Sequence, residues 1–565
     1  MIGTSAACLP PEMHMIDEPN AATPGYATVA ADLRAAGIDT LFGVMGEANL
    51  DLIACLSGRH GIRYVAARHE AGAVAMADGF ARSSGRLGVA TVTCGPGLTN
   101  AITPLVTAVR AHAEILLVTG QLPLSATGRS QTIDQVALLA PTGAGIVHVE
   151  AAAELPGAVD RAIALVRKTR RPVVLNILMP VLDGAAARGP ARVEAEPPAE
   201  VRPPPISDET IDRILTALVG ADRPVILAGR GAVEAGIGPA LRDLADRTGA
   251  SLAVSLLAHG LFAGHPRDLG VAGGVSSPEN FEALAEADLL LALGAGLNGW
   301  TTRAGTAAPN ATVIHVDRDP AAFASASRPI DLAVQAEIAD AVSCLLARLD
   351  PAPARRAPPP AVPRAAAPPH PARAGTVDPR AFCRLLDELL PRERTVTVDA
   401  GHFFEFPTRF LSVPDERGYL FTIAFGTVGL GLATAAGAAL GRPERVSVAF
   451  VGDGGLMMSL VDLDTIGRER LPMVIVVLND GAYGAEIKHL ADRGWDVRLA
   501  QFTNPDFASL AATLGIHGIR IGDLADPPDL RQVGRPTGPI LLDVSVDPSV
   551  KAEWMSVMHA ARGAS

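Results

Sequence analysis

Two acidic residues that follow two apolar runs constrain the fold of this chain more than any other feature. Asp453 stands in a Gly-Asp-Gly-Gly turn directly after the apolar run 446–451. Asp480 follows the apolar run 473–478 as the second residue of an Asn-Asp pair. The 27 positions between the acids leave room for a helix and a return strand, so the pattern predicts a parallel βαβ unit. Both acids then lie at the carboxyl ends of strands, where open α/β sheets bind ligands.

This pair of acids has the chemistry of a site for a divalent cation that carries a diphosphate. Carboxylates are hard oxygen ligands for Mg²⁺, and glycine amides can approach phosphate oxygens closely. The spacing resembles the metal motif of thiamine diphosphate (ThDP) enzymes, Gly-Asp-Gly followed by Asn-Asn. The resemblance implies that Asp453, Asp480 and the Ala482 carbonyl bind Mg²⁺, with Asp480 departing from the usual Asn. It also assigns cofactor contacts to Gly452, Gly454, Gly455, Tyr483 and Gly484.

A second motif lies far upstream, around Glu70, on a helix of small apolar residues that looks buried on most faces. A glutamate there needs a partner or a function, because an unpaired buried carboxylate is costly. The alternative is a helix N-terminal carboxylate that the helix dipole stabilises. Residues 65–82 resemble the helix that carries the catalytic glutamate of acetolactate synthase-like ThDP enzymes. That resemblance implies that Glu70 hydrogen-bonds N1′ of the aminopyrimidine and assists removal of the thiazolium C2 proton.

Three further segments resemble parts of the ThDP site. Residues 424–433 match the glycine-rich segment that bends the cofactor, which implies a cofactor contact at Gly426 and an apolar wedge at Val428. Family members often have a bulkier wedge, and an ordinary core valine is the alternative for Val428. His402, in Asp-Ala-Gly-His, matches a histidine on the diphosphate side.

The substrate side of the site is less well defined by the sequence. Residues 43–50 resemble a loop that enters the active site, where Glu47 is either an acid/base group or a helix N-terminal carboxylate. Gln121 matches a substrate-side glutamine of the synthases, and Gln135 falls where the family lines its pocket. His489 stands where acetolactate synthases have a specificity tryptophan, and this departure weakens any narrow substrate assignment.

Alternating helical and strand patterns divide the chain into three α/β units. We predict doubly wound domains with mainly parallel sheets at residues 23–183, 207–349 and 376–548. Segments 184–206 and 350–375 are rich in Pro and Ala and are predicted to be linkers. The order resembles the pyrimidine-binding, central Rossmann-like and diphosphate-binding domains of the acetolactate synthase, pyruvate decarboxylase and benzoylformate decarboxylase group.

Composition excludes several other classes of function. The net charge of −12 and the lack of a basic stripe argue against nucleic acid as a partner. Five scattered cysteines and the lack of a signal-peptide pattern in residues 1–22 predict a cytoplasmic protein without disulfides. Residues 420–441 carry no charge, but their Gly and Ala content favours a buried helix after a loop over a membrane span.

Acetolactate synthases also hold a largely non-catalytic FAD on the central domain. The matching stretch here, residues 293–303, has Gly296 where the family pattern has an Arg that would face the FAD diphosphate. We therefore predict a vestigial, empty FAD site, with FAD binding as the less favoured alternative.

The resemblance as a whole implies a ThDP- and Mg²⁺-dependent 2-oxo acid decarboxylase and carboligase that is similar to the acetolactate synthase large subunit. A simple decarboxylase or a benzaldehyde lyase-like acyloin enzyme is the alternative among enzymes. A catalytically silent ThDP-fold binding or regulatory protein is the alternative of another class, against which the retention of Glu70, Asp453 and Asp480 argues. In the family the active site combines two chains, which implies at least a homodimer, and a tetramer is common.

Overall fold

Three six-stranded sheets follow one another along the chain, and helices flank each of them. The computed structural model describes residues 23–126, 128–184, 202–349, 370 and 373–555. Every strand pairing within the three sheets is parallel, so the predicted α/β class with doubly wound parallel sheets is confirmed. Most of the predicted linker 350–375, and residues 185–201 of the linker 184–206, lie outside the described residues.

The first sheet has the strand order β2-β1-β3-β4-β6-β5. β4 is buried at all seven positions, as a parallel strand covered on both faces must be. The strands are β1 (Thr40–Gly43), β2 (Arg63–Ala66), β3 (Gly88–Val92), β4 (Ile115–Gln121), β5 (Gly145–Val149) and β6 (Val173–Leu178). The helices are α1 (Gly25–Ala35), α2 (Leu50–Gly58), α3 (Glu70–Ser84), α4 (Pro96–Asn100), α5 (Ile102–Ala111), α6 (Gln135–Leu139), α7 (Ala158–Thr169) and α8 (Met179–Asp183).

The second sheet has the order β12-β11-β10-β7-β8-β9, which is the Rossmann order when its strands are numbered from one. The strands are β7 (Pro224–Ala228), β8 (Ser251–Val254), β9 (Asp268–Val271), β10 (Leu289–Leu293), β11 (Thr312–Asp317) and β12 (Leu332–Gln335). The helices are α9 (Asp208–Gly220), α10 (Arg230–Glu234), α11 (Gly238–Thr248), α12 (Pro278–Ala285), α13 (Ala321–Ala324) and α14 (Ile338–Arg348).

The third sheet, β14-β13-β15-β16-β18-β17, repeats the strand order of the first. The strands are β13 (Arg394–Val398), β14 (Tyr419–Phe421), β15 (Val446–Gly452), β16 (Met473–Asn479), β17 (His517–Ile521) and β18 (Ile540–Ser545). The helices are α15 (Pro379–Leu389), α16 (Glu405–Phe410), α17 (Gly431–Gly441), α18 (Asp453–Met458), α19 (Asp462–Arg468), α20 (Gly484–Asp492) and α21 (Phe507–Thr513). The predicted βαβ unit is present, although two short helices, α18 and α19, replace the single predicted helix.

Helices α3 and α17 join the first and third sheets into one hydrophobic core. They approach so closely that a Cβ at Gly79 would lie 1.8 Å from the Thr434 carbonyl oxygen. A Cβ at Gly437 would lie 1.9 Å from the Met76 carbonyl oxygen. The uncharged stretch 420–441 therefore includes a buried helix, as predicted, whose glycines permit this contact. Throughout the described ranges, each helix is too short or too polar to cross a bilayer.

Candidate active site

The Asp453 and Asp480 carboxylates lie at the carboxyl ends of the neighbouring strands β15 and β16. Parallel pairing sets Gly452 opposite Leu478, which brings the residues that follow each strand together. Asp453 is only 3% exposed, and the Asp480 side chain only 6%. Burial raises the pKa of both carboxyls, and the nearby Asp480 charge raises that of Asp453 further. Two buried carboxylates with this arrangement are the donor set that a divalent cation would stabilise.

Asn504 connects the acid pair to the rest of the third sheet. Its Nδ2 donates a hydrogen bond to Asp453 Oδ2 and another, of 3.0 Å, to Asn479 Oδ1. The Asn479 amide in turn donates to Asp543 at 3.0 Å. An antiparallel bridge between Ala482 and Gln501 holds the segment that carries Asn504 beside the predicted metal ligands. Asn504 was not predicted from the sequence, because 51 positions separate it from Asp453.

Close packing explains why the turn around Asp453 is rich in glycine. A Cβ at Gly452 would lie 2.9 Å from the Phe403 ring, and one at Gly454 would lie 2.5 Å from the Tyr483 ring. A Cβ at Gly455 would lie 2.6 Å from a carboxylate oxygen of Asp399. No side chain fits at these three predicted cofactor positions, so the main chain itself forms the surface of the turn.

His402 lies on the other side of Asp480. Its Nε2 is 3.5 Å from Asp480 Oδ2, and a Cβ at Gly484 would lie 2.2 Å from the His402 ring. Burial, with a smaller contribution from Lys551, lowers the pKa of His402 to about 4. The imidazole is therefore neutral at pH 7 and can donate one hydrogen bond and accept one.

Val428 projects from a loop that hydrogen bonds to Asp399 hold in place. The Asp399 carboxylate accepts hydrogen bonds from the amides of Gly429, at 2.8 Å, and Gly431, at 3.2 Å. Gly426 and Gly429, on either side of Val428, have φ values of +75° and +90°, which other residues rarely adopt. Val428 is 39% exposed beside the Gly455 turn, so it is not a core residue of the single chain.

Glu70 is the first residue of α3 and is only partly buried, in contrast to the buried surroundings predicted for it. Burial begins two residues later, because Glu70 stands at the end of the helix that faces the strand termini. Its Oε2 accepts a hydrogen bond of 3.0 Å from Asn100 Nδ2. A Cβ at Gly97 would lie 3.6 Å from its Oε1. The helix N-terminal position fits the simpler interpretation of Glu70 and also leaves one carboxylate oxygen for a ligand.

The predicted substrate residues differ in their exposure. The Glu47 side chain is 69% exposed, begins a short 3₁₀ helix and forms an ion pair of 3.2 Å with Arg129. Gln121 ends β4 and is 4% exposed, and Gln135 is 1% exposed. The Gln135 Oε1 accepts a hydrogen bond from the Gly95 amide, and its Nε2 donates to the Gly120 carbonyl and to Asn176. Both ends of this amide are therefore occupied inside the first unit, and the structure does not bring it to the surface of a pocket.

Within one chain, the Glu70 group and the Asp453–Asp480 group share no hydrogen bond or ion pair among the described residues. Glu70 has its hydrogen bond with Asn100 in the first unit, whereas Asp453 has its own with Asn504 in the third. The two halves of the candidate site are therefore separate constellations at the strand ends of two different sheets.

Models of the three domains of one protein family match the three units of the chain. The thiamine pyrophosphate enzyme N-terminal TPP binding domain matches residues 24–138, the central domain matches 211–345, and the C-terminal TPP binding domain matches 399–544. Together the matches cover more than half of the sequence. The chain belongs to the thiamine pyrophosphate enzyme family. The predicted resemblance to ThDP enzymes is thus confirmed, and the two TPP binding domains indicate that ThDP is the cofactor.

Two curated relatives of this thiamine pyrophosphate enzyme represent different activities. One is the acetolactate synthase isozyme 3 large subunit of Escherichia coli, which is 29% identical over 88% of this chain and 89% of its own. Another is the probable 2-ketoarginine decarboxylase AruI of Pseudomonas aeruginosa, which is 33% identical over 85% of this chain and 86% of its own. This thiamine pyrophosphate enzyme is therefore of the acetolactate synthase and decarboxylase type.

A solved structure has the same fold. The thiamine diphosphate-dependent 4-hydroxybenzoylformate decarboxylase of Rhodococcus jostii RHA1 superposes with a TM-score of 0.79. The alignment covers 93% of this chain and 99% of that one. At 22% identity this likeness concerns the fold alone.

Close packing accounts for the glycines in the central domain of this thiamine pyrophosphate enzyme. Gly294 has a φ of +58°, and a Cβ there would lie 2.7 Å from the Gly231 Cα. A Cβ at Gly229 would lie 2.2 Å from the Gly294 carbonyl oxygen. Two strand-end turns that contact each other need these glycines without any ligand. The vestigial FAD site stays a prediction, as do the three domain boundaries.

Proposed function

We propose that this enzyme is a ThDP- and Mg²⁺-dependent 2-oxo acid decarboxylase and carboligase, similar to acetolactate synthase. The single observation that carries the proposal is the buried Asp453–Asp480 pair at the ends of β15 and β16. The pair lies beside the point where the strand order of the third sheet reverses, between β13 and β15, and open α/β sheets bind ligands there.

The residues around this pair are suited to hold a metal–diphosphate group. Asp453, Asp480 and the Ala482 carbonyl would bind Mg²⁺, and Asn504 would orient Asp453. The neutral His402 and the main chain of the Gly454 turn would contact the diphosphate. Bound ThDP supplies an acidic thiazolium C–H bond and an electron sink. Val428, Gly426 and Tyr483 would support the cofactor between its two ends.

We further propose a homodimer in which Glu70 of one protomer acts on the cofactor held by its partner. Exposed apolar side chains stand close in the chain to Asp453 and to Glu47, and exposed methionines of this kind are common at interfaces. Met457, Met458 and Val461 are 45%, 57% and 49% exposed beside the metal motif. Met45, two residues before Glu47, and Leu124, three residues after Gln121, are 49% and 57% exposed. Glu70 would hold a proton at N1′ of the aminopyrimidine.

Glu47 is the proposed acid/base group toward the substrate, a small 2-oxo acid. It stands at the carboxyl end of β1, and its neighbour Arg129 supplies a positive charge. The carboxylate can exchange protons with a reacting group near it, whereas Arg129 stays protonated. The described cysteines Cys55, Cys94, Cys344 and Cys383 are all free thiols, which supports the proposal of a reducing, cytoplasmic compartment.

Product analysis distinguishes the proposed carboligase from its alternatives. The purified protein is incubated with pyruvate, with benzoylformate and with an equal mixture of both, in the presence of Mg²⁺ and ThDP. Carboligation gives CO₂ and a hydroxyketone product, whereas a simple decarboxylase gives CO₂ and free aldehyde in equal amounts. Release of CO₂ with aldehyde as the sole organic product would overturn the carboligase part of the proposal. Formation of a hydroxyketone from added acetaldehyde, without any 2-oxo acid, would reveal an acyloin enzyme.

A further inference from the structure

Three buried amide side chains form a continuous hydrogen-bonded chain beneath the substrate end of the first sheet. Gln135 begins α6, Asn176 lies in β6, and Gln121 ends β4. They are 1%, 0% and 4% exposed. Because each amide has one donor end and one acceptor end, the direction of such a chain is fixed wherever one partner has a single role.

The main chain fixes the direction at Gln135. The Gly95 amide can only donate, and it lies 2.8 Å from Gln135 Oε1. Gln135 Nε2 must therefore donate, and it lies 3.0 Å from the Gly120 carbonyl oxygen, which can only accept. The same Nε2 lies 2.7 Å from Asn176 Oδ1, which makes that oxygen an acceptor.

The direction then passes through Asn176 to Gln121. With Oδ1 as the acceptor, Asn176 Nδ2 is the donor, and it lies 2.6 Å from Gln121 Oε1. The same Nδ2 lies 3.1 Å from His148 Nδ1. Gln121 Oε1 is thus occupied as an acceptor, and Gln121 Nε2 has no hydrogen-bond partner among the residues that the structure describes.

The end of β4, where Gln121 stands, packs against the loop that carries Glu47. A Cβ at Gly120 would lie 3.0 Å from the Ala48 Cβ, so the end of β4 and this loop are in contact. The Thr119 hydroxyl and the Ala48 amide both contact Thr93, which fixes the same strand ends. Gln121 therefore offers a donor at the edge of the sheet where the other substrate residues stand.

We propose that Asn176 is a positioning residue that holds the Gln121 amide with its N–H bonds directed to the substrate. The inference rests on the proposed function, and it adds the residue that sets the orientation of a substrate contact. An outward N–H donor stabilises an oxyanion or carbonyl oxygen, such as the carboxylate of a 2-oxo acid. The same N–H stabilises a neutral substrate such as an aldehyde less than a carboxylate. If the amide were reversed, its oxygen would repel the same carboxylate.

Asn176→Asp reverses the polarity with little change of size. An aspartate at this position accepts from Gln135 Nε2 with one oxygen and from a turned Gln121 Nε2 with the other. The Gln121 oxygen would then face the substrate. We expect the KM for whichever 2-oxo acid is turned over, pyruvate or benzoylformate, to rise about tenfold or more. We expect kcat to change by less than about threefold, because the cofactor machinery is untouched.

A double-mutant cycle separates positioning from a merely structural role. Gln121→Leu removes the donor, and its KM should be raised as well. If Asn176 acts through Gln121, adding Asn176→Asp to Gln121→Leu raises the KM no further. If Asn176 only supports the fold, the two effects on KM multiply, and the proposal is overturned.

The experiment also separates failure of this inference from failure of the proposed function. Lack of turnover of any 2-oxo acid by the wild-type protein overturns the proposed function itself. Wild-type turnover with an unchanged KM in Asn176→Asp overturns only the positioning role. If Asn176→Asp does not fold, Asn176→Ala replaces it in the cycle with Gln121→Leu, since it removes the amide that donates to Gln121 Oε1. KM effects of Asn176→Ala and Gln121→Leu that multiply would then overturn the inference.

Discussion

Asp453 and Asp480 hold two carboxylates together at the ends of adjacent parallel strands, with almost all of both side chains buried. Burial raises the pKa of each, and the Asp480 charge adds to the rise at Asp453. Two neighbouring buried carboxylates repel each other and destabilise the fold unless a cation binds between them or one of them holds a proton. A divalent cation, as proposed for this site, would relieve the repulsion between the two carboxylates.

Asp453→Ala should abolish retention of ThDP while leaving the fold largely intact. The change removes one hard oxygen ligand, and the diphosphate then loses its anchor. Bound ThDP is measured after dialysis in Mg²⁺ buffer, beside the control Asp529→Ala, which removes an exposed acid paired with Arg531. Stoichiometric ThDP in dialysed Asp453→Ala would show that the metal assignment is wrong.

Asn504→Ala should weaken divalent-cation affinity by about tenfold or more, the usual cost of losing a residue that orients a metal ligand. The Asn504 amide contacts both Asp453 and Asn479, so its loss frees the Asp453 carboxylate to rotate. Titration with Mn²⁺ followed by electron paramagnetic resonance measures free metal directly. An affinity equal to that of the wild type would restrict Asn504 to a structural role.

Asp462 should make stability fall as pH rises. Burial raises the pKa of Asp462 to about 7, above the value of about 3.9 expected in the unfolded chain. The folded state therefore binds this proton more tightly, and the contribution to stability is present below about pH 4 and lost as pH rises through 7. Asp462→Asn should melt above the wild type at pH 5 and further above it at pH 8.

The control for this titration is Asp464→Asn, two residues away. Hydrogen bonding to Arg68 lowers the pKa of Asp464 to about 2, so its charge does not change between pH 5 and pH 8. Its melting difference from the wild type should be the same at both pH values. A pH-independent difference for Asp462→Asn as well would refute the assigned titration.

Glu47→Gln should impair turnover more than substrate binding. The amide keeps the size of the side chain but cannot exchange a proton, so we expect kcat to fall by about a hundredfold. Steady-state kinetics across the pH range measure kcat and KM separately, with Asp51→Asn, an exposed acid of the next helix, as the control. An unchanged kcat would leave Glu47 as a helix-end carboxylate.

The sequence was sufficient to find the strands that carry the site. The run 473–478 is β16 without its last residue, and the run 446–451 is β15 without its last residue. These strands are central and buried on both faces, so their residues are continuously apolar. Edge strands were missed where polar residues interrupt the pattern, as in β17, which reads His-Gly-Ile-Arg-Ile.

Residues that act through distant contacts could not be found in this way. Asn504, Asp399 and Asn176 each fix a predicted site residue, but their partners lie 51, 30 and 55 positions away. Only the folded chain brings these side chains together. The assignment of Gln135 to the substrate side stays a prediction from its position in the sequence, because the described hydrogen bonds of its Nε2 are with Gly120 and Asn176.

The most direct test of the central claim is hydrogen–deuterium exchange at C2 of bound ThDP in Glu70→Gln, followed by NMR after acid quench. Glutamine keeps a hydrogen-bonding group at the start of α3, and the metal site is untouched, so ThDP should stay bound. It cannot supply the charge of the carboxylate, so we expect exchange to slow by about a hundredfold or more. Exchange at the wild-type rate with ThDP bound would contradict the account and remove Glu70 from the mechanism.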